Sequence, residues 1–425
     1  MFVQLAYGKD GMEVELPDHA VIVEPKYVRG VTDEKQALRA SLQAPIGTVR
    51  LAEMVKPDSK VVIVVSDITR PAPSDRILPV LLEQLETVKQ ENIRIVNALG
   101  LHRPNTREEF VHMLGQEIVD AFGDRIINHN ANDKAELVYL GESSRGTPMW
   151  INRTYMEADI KIVTGFIEPH FFAGFSGGRK SVFPGIAGAD TITKNHNAVH
   201  IDHQLACYGS LEGNPIHEDM LEIARKTNPS FMINVALNND HEITGVWSGD
   251  IELAHAAGVA FVKETAMQKL PHHFDIVITT NSGYPLDINL YQSVKGMAAA
   301  QLILKPKGTM IVVAECSEGV GDAFFEVLKS RSSGKALLEM IRTPGWSAPD
   351  QWTAQVLARM LVAHELYLYS DHLCEEDIRR CHFSPVKNIE LLVQDILRRN
   401  PLATIAVIPH GPMTIPYVES RVGNL

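Results

Sequence analysis

Short apolar runs rich in Val and Ile recur along the chain, separated by longer amphipathic stretches. The runs that predict strands are Val61–Ser66, Ile93–Leu99, Ile160–Thr164, Met232–Leu237, Asp275–Thr280, Thr309–Ala314 and Ala403–Ile408. The stretches with helical spacing are Ser74–Gln90, Pro215–Lys226, Asp250–Gln268, Gln292–Leu304, Asp350–His364 and Val386–Arg398. Buried parallel strands are continuous Val/Ile runs, and a strand–helix–strand rhythm produces right-handed crossovers. The pattern therefore predicts an α/β protein with mainly parallel sheets.

The 425 residues are enough for two or three domains at roughly 150 residues each. Phe2–Tyr7 and Met12–Leu16 flank a Gly-Lys-Asp-Gly turn and predict an opening hairpin. A new strand begins after the LPHHF segment, which spans Leu270–Phe274. We therefore expect a first domain of residues 1–270, joined by 403–425, and a second of 271–402.

Composition narrows the class of protein. The chain is 45% hydrophobic and 22% charged, which is typical of a globular protein rather than a disordered one. A formal net charge of −12 disfavours nucleic acid as a partner. The four cysteines form no CxxC pair, which indicates a reducing compartment. We expect a cytoplasmic protein with neither a signal peptide nor a membrane span, since no apolar run approaches about 18 residues.

Polar clusters follow several predicted strands directly. Asp67-Ile68-Thr69-Arg70, Gly100-Leu101-His102-Arg103, Glu168-Pro169-His170 and Asn281-Ser282-Gly283-Tyr284 each stand just beyond a strand. In open α/β sheets, ligands bind outside the carboxyl ends of the strands. These clusters therefore predict one shared pocket.

The run from Gly165 to Gly188, GFIEPHFFAGFSGGRKSVFPGIAG, contains six glycines around the pair Arg179-Lys180. Clustered glycines indicate close approach of the backbone to another group. The spacing GxxxxGK[ST] of a nucleoside triphosphate loop is not met, because Arg179 separates Gly178 from Lys180. A phosphate or nucleotide-like cofactor still fits this pattern, since backbone N–H groups and basic side chains bind anions. The alternative is a tight turn with solvated basic residues.

Histidines provide two further hypotheses. His196 and His200 are spaced to share a helix face, with His203 three residues on, and such spacing can bind a metal or be purely structural. His102 and His170 follow different strands and could act as paired acid and base on opposite faces of a carbon atom. Two separate structural histidines remain the alternative.

The predicted helix that starts near Tyr291 begins YQSVKG, which puts Gln292 and Lys295 on its first turn. A helix N-terminus carries partial positive charge and free N–H groups. The pair therefore predicts a carboxylate site, with an exposed Gln and Lys as the alternative.

Taken together, these motifs resemble the nickel-dependent lactate racemase family over most of the chain. The resemblance is carried by SDITRPAPS (66–74), GLHR (100–103), GFIEPHFFAGFSGGRKSVFPGI (165–186), NHNAVH (195–200) and YQSVKG (291–296). No position in these runs departs from the family's pattern. The resemblance implies two α/β domains with the active site in the cleft between them.

The resemblance also implies a cofactor and a role for each matching residue. The cofactor is a nickel pincer nucleotide, a pyridinium mononucleotide with two sulfur-bearing arms, held covalently by Lys180 through a thioamide. His196 matches the nickel ligand, and His102 and His170 match the acid–base pair. The cofactor-lining positions are Asp67, Ile68, Thr69, Arg70 and Pro184. The substrate-binding positions are Tyr291, Gln292, Lys295 and a pocket tryptophan, for which Trp352 is preferred to Trp346.

The implied reaction is racemisation or epimerisation of a 2-hydroxy acid by reversible hydride transfer, which makes the chain an isomerase. Its partners are a small 2-hydroxy acid and the proteins that build the cofactor. The sequence leaves the particular acid, the oligomeric state and the roles of His200, His203 and His410 open. Two rivals stay open as well: a racemase or dehydratase that uses the two histidines without a cofactor, and a non-catalytic nickel or nucleotide carrier.

Overall fold

A computed structural model describes residues 1–418 of the 425. The strands are β1 Phe2–Leu5, β2 Met12–Glu15, β3 Val21–Ile22, β4 Val61–Ser66, β5 Ile93–Ala98, β6 Ile126–Asn128, β7 Leu137–Glu142, β8 Pro148–Asn152, β9 Ile160–Phe166, β10 Pro169–His170, β11 Gly174–Phe175, β12 Phe231–Leu237, β13 Ile243–Gly249, β14 Met267–Leu270, β15 Phe274–Thr280, β16 Leu304–Val313, β17 Glu365–Tyr369, β18 Ser384–Pro385, β19 Ile405–Ile408 and β20 Ile415–Val418.

The helices lie between these strands, as the alternating pattern predicts. They are α1 Glu34–Gln43, α2 Leu51–Met54, α3 Ser74–Glu83, α4 Arg107–Leu114, α5 Gln116–Phe122, α6 Arg153–Met156, α7 Ala189–Asn195, α8 Ala198–Ile201, α9 Pro215–Thr227, α10 Leu253–Ala266, α11 Leu290–Gln301, α12 Asp322–Lys329, α13 Gly334–Ile341, α14 Gln351–Ala363, α15 Glu375–Arg380 and α16 Ile389–Arg399.

Two six-stranded sheets form the framework. The first has the order β13-β12-β9-β4-β5-β6 and is parallel except for its edge strand β13. The second has the order β18-β17-β16-β15-β19-β3 and is parallel throughout. The central strands are buried on both faces, as in Val61–Val65, which explains why they are continuous Val/Ile runs. The predicted α/β class with mainly parallel sheets is confirmed.

The strands of residues 403–418 pair with both predicted segments, so the expected domain bounds stay a prediction. β19 lies beside β15 in the second sheet, and β3, from the opening segment, lies beside β19. β20 pairs with β14 instead of entering the first sheet. A buried apolar strand has the same pattern in either parallel sheet, so sequence alone could not choose between them. Residues 419–425 lie outside the described part of the chain.

Most predicted helices agree to within a few residues, with one exception. The helix predicted over Ser74–Gln90 ends at Glu83, and turns follow. Leu85 and Val88 in those turns are buried, which explains the helix-like spacing of apolar residues. Among residues 1–418, no helix is both long and apolar enough to cross a membrane.

Candidate active site

A cavity of about 130 Å³ lies where the carboxyl ends of β4, β5 and β9 face the first turns of α11 and α14. The residues that line it include most of the predicted site, namely Asp67, Arg70, His102, His170, Lys180, Pro184, His196, Tyr291, Gln292, Lys295 and Trp352. Two predicted cofactor residues, Ile68 and Thr69, are not among the lining residues. Their neighbours Asp67 and Arg70 occupy the cavity wall instead.

His102 is held by a carboxylate. Its Nδ1 lies 2.6 Å from Oδ2 of Asp67, and the hydroxyl of Thr69 donates to the other carboxylate oxygen at 2.9 Å. Burial raises the pKa of Asp67, but His102, Arg70 and the Thr69 hydroxyl outweigh burial and hold that pKa below its usual value. An ionised Asp67 accepts the Nδ1 proton, so the free lone pair of His102 is on Nε2. Thr69 thus stabilises the Asp67 carboxylate by a hydrogen bond, although Thr69 itself does not line the cavity.

His170 has different surroundings. Its Nδ1 accepts long hydrogen bonds from the backbone N–H groups of Phe172 and Ala173, at 3.5 and 3.3 Å. Burial, and then the charges of Lys180, Lys295, Arg70 and Arg179, hold the pKa of His170 well below its usual value. The imidazole is therefore neutral, with its proton on Nε2.

Lys180 projects into the cavity from a 3₁₀ turn that spans Gly178–Ser181. Within the described residues its ammonium has no hydrogen bond or ion pair, and Nζ lies 5.7 Å from the centre of the Phe172 ring. Burial and the cations Arg70, Arg179 and Lys295 hold the pKa of Lys180 well below its usual value, against an opposing effect of Glu168. A lowered pKa raises the fraction of the neutral amine, which is the nucleophilic form.

The glycines around Lys180 have a packing role. Gly177 has φ +78°, and a Cβ there would lie 2.6 Å from Oδ1 of Asn234. Gly178 has φ +53°, and a Cβ there would lie 2.8 Å from the His255 ring. The backbone thus approaches other parts of the protein at these two positions, and only glycine fits there.

Arg179, next to Lys180, is fully buried and points away from the cavity lining. It donates to the carbonyls of Ala173 and Gly177, at 2.8 and 3.4 Å, and no carboxylate pairs with it in residues 1–418. Burial lowers the pKa of Arg179 to about 9. It ties the segment that carries His170 to the turn that carries Lys180, a role that the sequence did not suggest.

His196 also lines the cavity. It caps the C-terminus of α7, and its Nδ1 lies 3.1 Å from the carbonyl of Ile192. Burial, followed by Lys180, lowers the pKa of His196 to about 3, so the ring is neutral. Because Nδ1 donates to a carbonyl, Nε2 carries a lone pair suited to a metal.

The prediction that His196 and His200 share a helix face is wrong, and of the two alternatives for His196, His200 and His203 the shared metal site is not found in residues 1–418. The helix breaks after Asn195, so His196 and His200 do not share a helix face. His200 Nδ1 contacts the carbonyl of Asn195 at 2.8 Å, and His203 is exposed. Across residues 1–418, no three His, Cys, Asp or Glu side chains come together to hold a metal ion. The asparagine at position 197 instead caps the short helix α8.

The first turn of α11 supplies the opposite wall. Nζ of Lys295 donates to Oε1 of Gln292 at 2.5 Å, and both side chains are buried. Burial, followed by Arg70, lowers the pKa of Lys295 to about 7. Asn289 caps the helix by accepting from the N–H of Gln292. A cation and an amide at a capped helix start can bind a carboxylate.

Trp352 lies in the cavity wall, and Trp346 is not among the lining residues of the described part of the chain. Its Nε1 donates to the Tyr291 hydroxyl at 3.0 Å, and its ring centre is 5.0 Å from that of His196. The Asn281 cluster does not line the cavity. Oδ1 of Asn281 accepts from the N–H of Gly296, which fixes α11 against β15.

One lining residue, Asp350, was not singled out from the sequence. An acidic residue at the start of a predicted helix is an ordinary helix cap, so its type and position carried no functional signal. Asp350 can be recognised only in the folded structure, where the start of α14 faces the carboxyl ends of β4, β5 and β9 across the cavity.

The chain matches two family models, the lactate racemase N-terminal domain over residues 7–207 and the lactate racemase C-terminal domain over residues 270–415. A lactate racemase of Lactiplantibacillus plantarum is 40% identical over 419 residues, covering 96% of this chain and 98% of that protein. One from Thermoanaerobacterium thermosaccharolyticum is 37% identical over 424 residues, covering 97% and 98%.

Solved structures agree with these matches. The lactate racemase apoprotein of Thermoanaerobacterium thermosaccharolyticum superposes with a TM-score of 0.91 at 36% identity, covering 99% of this chain and all of that one. A Thermotoga maritima protein at 17% identity has a TM-score of 0.71 and shares the fold. Motifs, fold and near-complete coverage coincide, and the chain therefore belongs to the lactate racemase family of isomerases.

Proposed function

We propose that this enzyme racemises lactate or a related 2-hydroxy acid by reversible hydride transfer, with a nickel pincer nucleotide held on Lys180. The observation that carries the proposal is one cavity lined by His102, His170, Lys180 and Lys295. Two imidazoles, a nucleophilic amine and a carboxylate-binding cation are the groups that the reaction requires. The relatives named lactate racemase support the same substrate class.

Lys180 and Arg70 fit such a cofactor. The half-buried Lys180 has no hydrogen-bond partner for its amine in the described chain, so nothing has to be displaced before it forms a covalent bond. The guanidinium of Arg70 donates to the carbonyl and hydroxyl oxygens of Thr69, both at 3.2 Å, and within residues 1–418 it forms no ion pair with a carboxylate. That guanidinium is available for a phosphate group.

His196 fits the metal of that cofactor. Its ring lines the cavity and its Nδ1 is used by a backbone carbonyl, which leaves the Nε2 lone pair for a ligand. Residues 1–418 hold no cluster of three possible protein ligands. A metal here would take one ligand from His196 and the others from the bound group. When bound, that group would supply the hydride acceptor, a chemistry that no side chain of the cavity provides.

The residues of the chain bind and orient the substrate. Lys295 and Gln292 hold the carboxylate at the start of α11. The two histidines approach the hydroxyl-bearing carbon from different strands, since His102 follows β5 and His170 lies in β10. Holding the reacting groups in one cavity lowers the entropic cost of reaction.

Proton transfer then uses the free nitrogen of each imidazole. His102 takes the hydroxyl proton at Nε2 while Asp67 stabilises the imidazolium through Nδ1. To act as the acid, His170 has to carry a second proton, which becomes possible once bound anions offset the cations around it. The imidazolium then donates the proton on Nε2 to the carbonyl oxygen of the keto acid from the other side and returns to the neutral ring. For the opposite enantiomer the two histidines exchange roles. Direct removal of the C2 proton is far harder, because that carbon acid is very weak.

The test is production of the chain in a host with the cofactor-building proteins and in one without them. We expect the first preparation to show a mass increase on Lys180 and to interconvert the enantiomers of lactate or a related 2-hydroxy acid. Lys180→Arg keeps the charge but cannot form the thioamide, so it should lose both the mass increase and turnover. Lys194→Arg, on the exposed face of α7, is the matched control and should keep both.

Three outcomes would contradict the proposal. Racemisation by protein with an unmodified Lys180 would support a two-histidine enzyme without a cofactor. Retention of nickel by Lys180→Arg, with no chiral signal lost from any acid in a panel of 2-hydroxy acids, would support a carrier. A modified Lys180 without turnover of any acid in that panel would separate cofactor binding from racemisation.

A further inference from the structure

Asp350 stands directly before α14, at the position where an aspartate normally caps a helix. Here its side chain makes no capping hydrogen bond, and its backbone has φ +61° and ψ +8°. The left-handed region is unfavourable for residues other than glycine, and a lost cap costs about 1 kcal/mol. The residue therefore adopts a conformation that helix stability alone does not explain.

The carboxylate of Asp350 lines the cavity instead. Within residues 1–418 this carboxylate has no hydrogen-bond partner and no ion pair. Burial raises the pKa of Asp350 to about 6, and the charge of His102 acts in the opposite direction. A largely buried, unpaired carboxylate is costly and is found chiefly where a ligand uses it. Its neighbours in the wall are His102, Tyr291, Trp352 and Thr353.

The two helices that face the cavity therefore present charges of opposite sign. The first turn of α11 offers Lys295 and Gln292, which suit one carboxylate. The start of α14 offers the carboxylate of Asp350, which repels a second carboxylate and accepts a hydrogen bond from an uncharged donor.

We propose that Asp350 determines specificity by rejecting acids whose C2 substituent carries a second carboxylate. The substrates are then monocarboxylic 2-hydroxy acids with a small apolar or hydroxyl-bearing substituent. This inference rests on the proposed function, because it assumes that a 2-hydroxy acid occupies the cavity with its carboxylate at Lys295. Two like charges in one partly enclosed cavity repel enough to weaken binding of a dicarboxylate about tenfold or more.

The test compares lactate with malate, which carries a second carboxylate at the substituent. The proteins are the cofactor-loaded wild type, Asp350→Asn, and Asp322→Asn, which removes an exposed carboxylate on α12. Binding is measured by calorimetry with racemic acids, which are already at equilibrium and undergo no net conversion. kcat/KM is measured with single enantiomers, and thermal unfolding checks that each variant folds.

We expect the wild type and Asp322→Asn to bind lactate at least about tenfold more tightly than malate, and Asp350→Asn to lose most of that preference. The inference is overturned if malate binds the wild type as tightly as lactate, or if Asp350→Asn leaves the ratio unchanged. Discrimination in binding that depends on Asp350, without turnover of either acid, would contradict the proposed function and keep the inference. Failure to bind either acid would contradict both.

Discussion

The two imidazoles of the cavity lie in opposite electrostatic surroundings. His102 has Asp67 at 2.6 Å, shares its wall with Asp350, and keeps 28% of its side chain exposed. His170 is only 5% exposed and is faced by Lys180, Lys295, Arg70 and Arg179. One side of the cavity thus stabilises an imidazolium, and the other opposes it.

This difference shows that the proposed acid–base pair does not have matched surroundings in the chain itself. The cationic side suits anions, and under the proposed function these are a substrate carboxylate and the phosphate of a nucleotide. Anions bound there would offset the positive charge around His170 and make the two imidazoles more alike. The contrast therefore comes from the protein's own charged side chains.

The largest effect should come from removing either imidazole. His102→Ala and His170→Ala should each lower kcat about 10²- to 10⁴-fold while retaining the cofactor's colour, since neither is the proposed metal ligand. Added imidazole should restore part of the activity of His102→Ala, because that site is open to solvent, and none of the activity of His170→Ala. Chiral assays with and without imidazole measure this.

The exposed residue His203 supplies the control, because His203→Ala should match the wild type in rate and colour. Equal rescue of both active-site variants would contradict the contrast in exposure. Loss of colour in both would mean that the histidines hold the cofactor instead of moving protons.

A smaller effect should follow from Asp67→Asn. The amide cannot stabilise a proton on His102, so kcat should fall about 10- to 100-fold, as for other partners of functional histidines. Asp75→Asn, on the exposed face of α3, should leave kcat unchanged. An unchanged kcat for Asp67→Asn would show that the carboxylate does not support the His102 ring during proton transfer.

Much of this site could be predicted from sequence because parallel strands impose it. Val61–Ser66 and Ile93–Leu99 are unmistakable buried strands, so the polar residues after them had to meet at one sheet edge. That reasoning predicts from sequence alone that Asp67 and His102 lie near each other. The peculiar run around Lys180 then identified the family.

The remaining features depend on tertiary contacts far apart in sequence. Asp350 meets His102 across about 250 positions of chain, and its backbone conformation has no signature in residue type. The glycines of the Lys180 turn suggested a ligand, yet Gly177 and Gly178 are set by Asn234 and His255. Nor could spacing show that the helix breaks at His196, because that break depends on the capping side chain of Asn197.

His129 allows the effect of burial on a histidine pKa to be measured apart from the effect of neighbouring cations. It is buried outside the cavity, where its Nε2 donates to the Ala187 carbonyl at 3.0 Å and its Nδ1 accepts from Asn152 at 3.3 Å. Burial lowers its pKa to about 4 against a small opposing effect of that carbonyl. The folded state therefore resists protonation that the unfolded chain accepts near pH 6.5.

The sign follows from linkage. Between about pH 6.5 and 4 the unfolded chain binds the extra proton, so the stability contribution present above pH 6.5 is lost as pH falls, by about 1.4 kcal/mol per pH unit. His129→Gln should reduce the pH slope of the free energy of unfolding by about that amount, measured by urea titration from pH 7 to 5. An unchanged slope would mean that burial alone does not depress a histidine here, and that the cations around His170 dominate.

The smallest effect on stability and turnover is expected from the surface ion pair between Arg103 and Glu318, next to His102. Arg103 follows His102 and pairs with Glu318 at 2.9 Å as well as with Glu109, and the Glu318 side chain is 43% exposed. Solvent screens such a pair, so Glu318→Gln should change the free energy of unfolding by less than about 1 kcal/mol and the turnover rate by less than about twofold. Both differences should vanish at about 1 M salt. A larger loss that persists in salt would mean that this ion pair holds the two walls together. The contrast between the two histidines would then depend on how the walls are joined as well as on the charges inside the cavity.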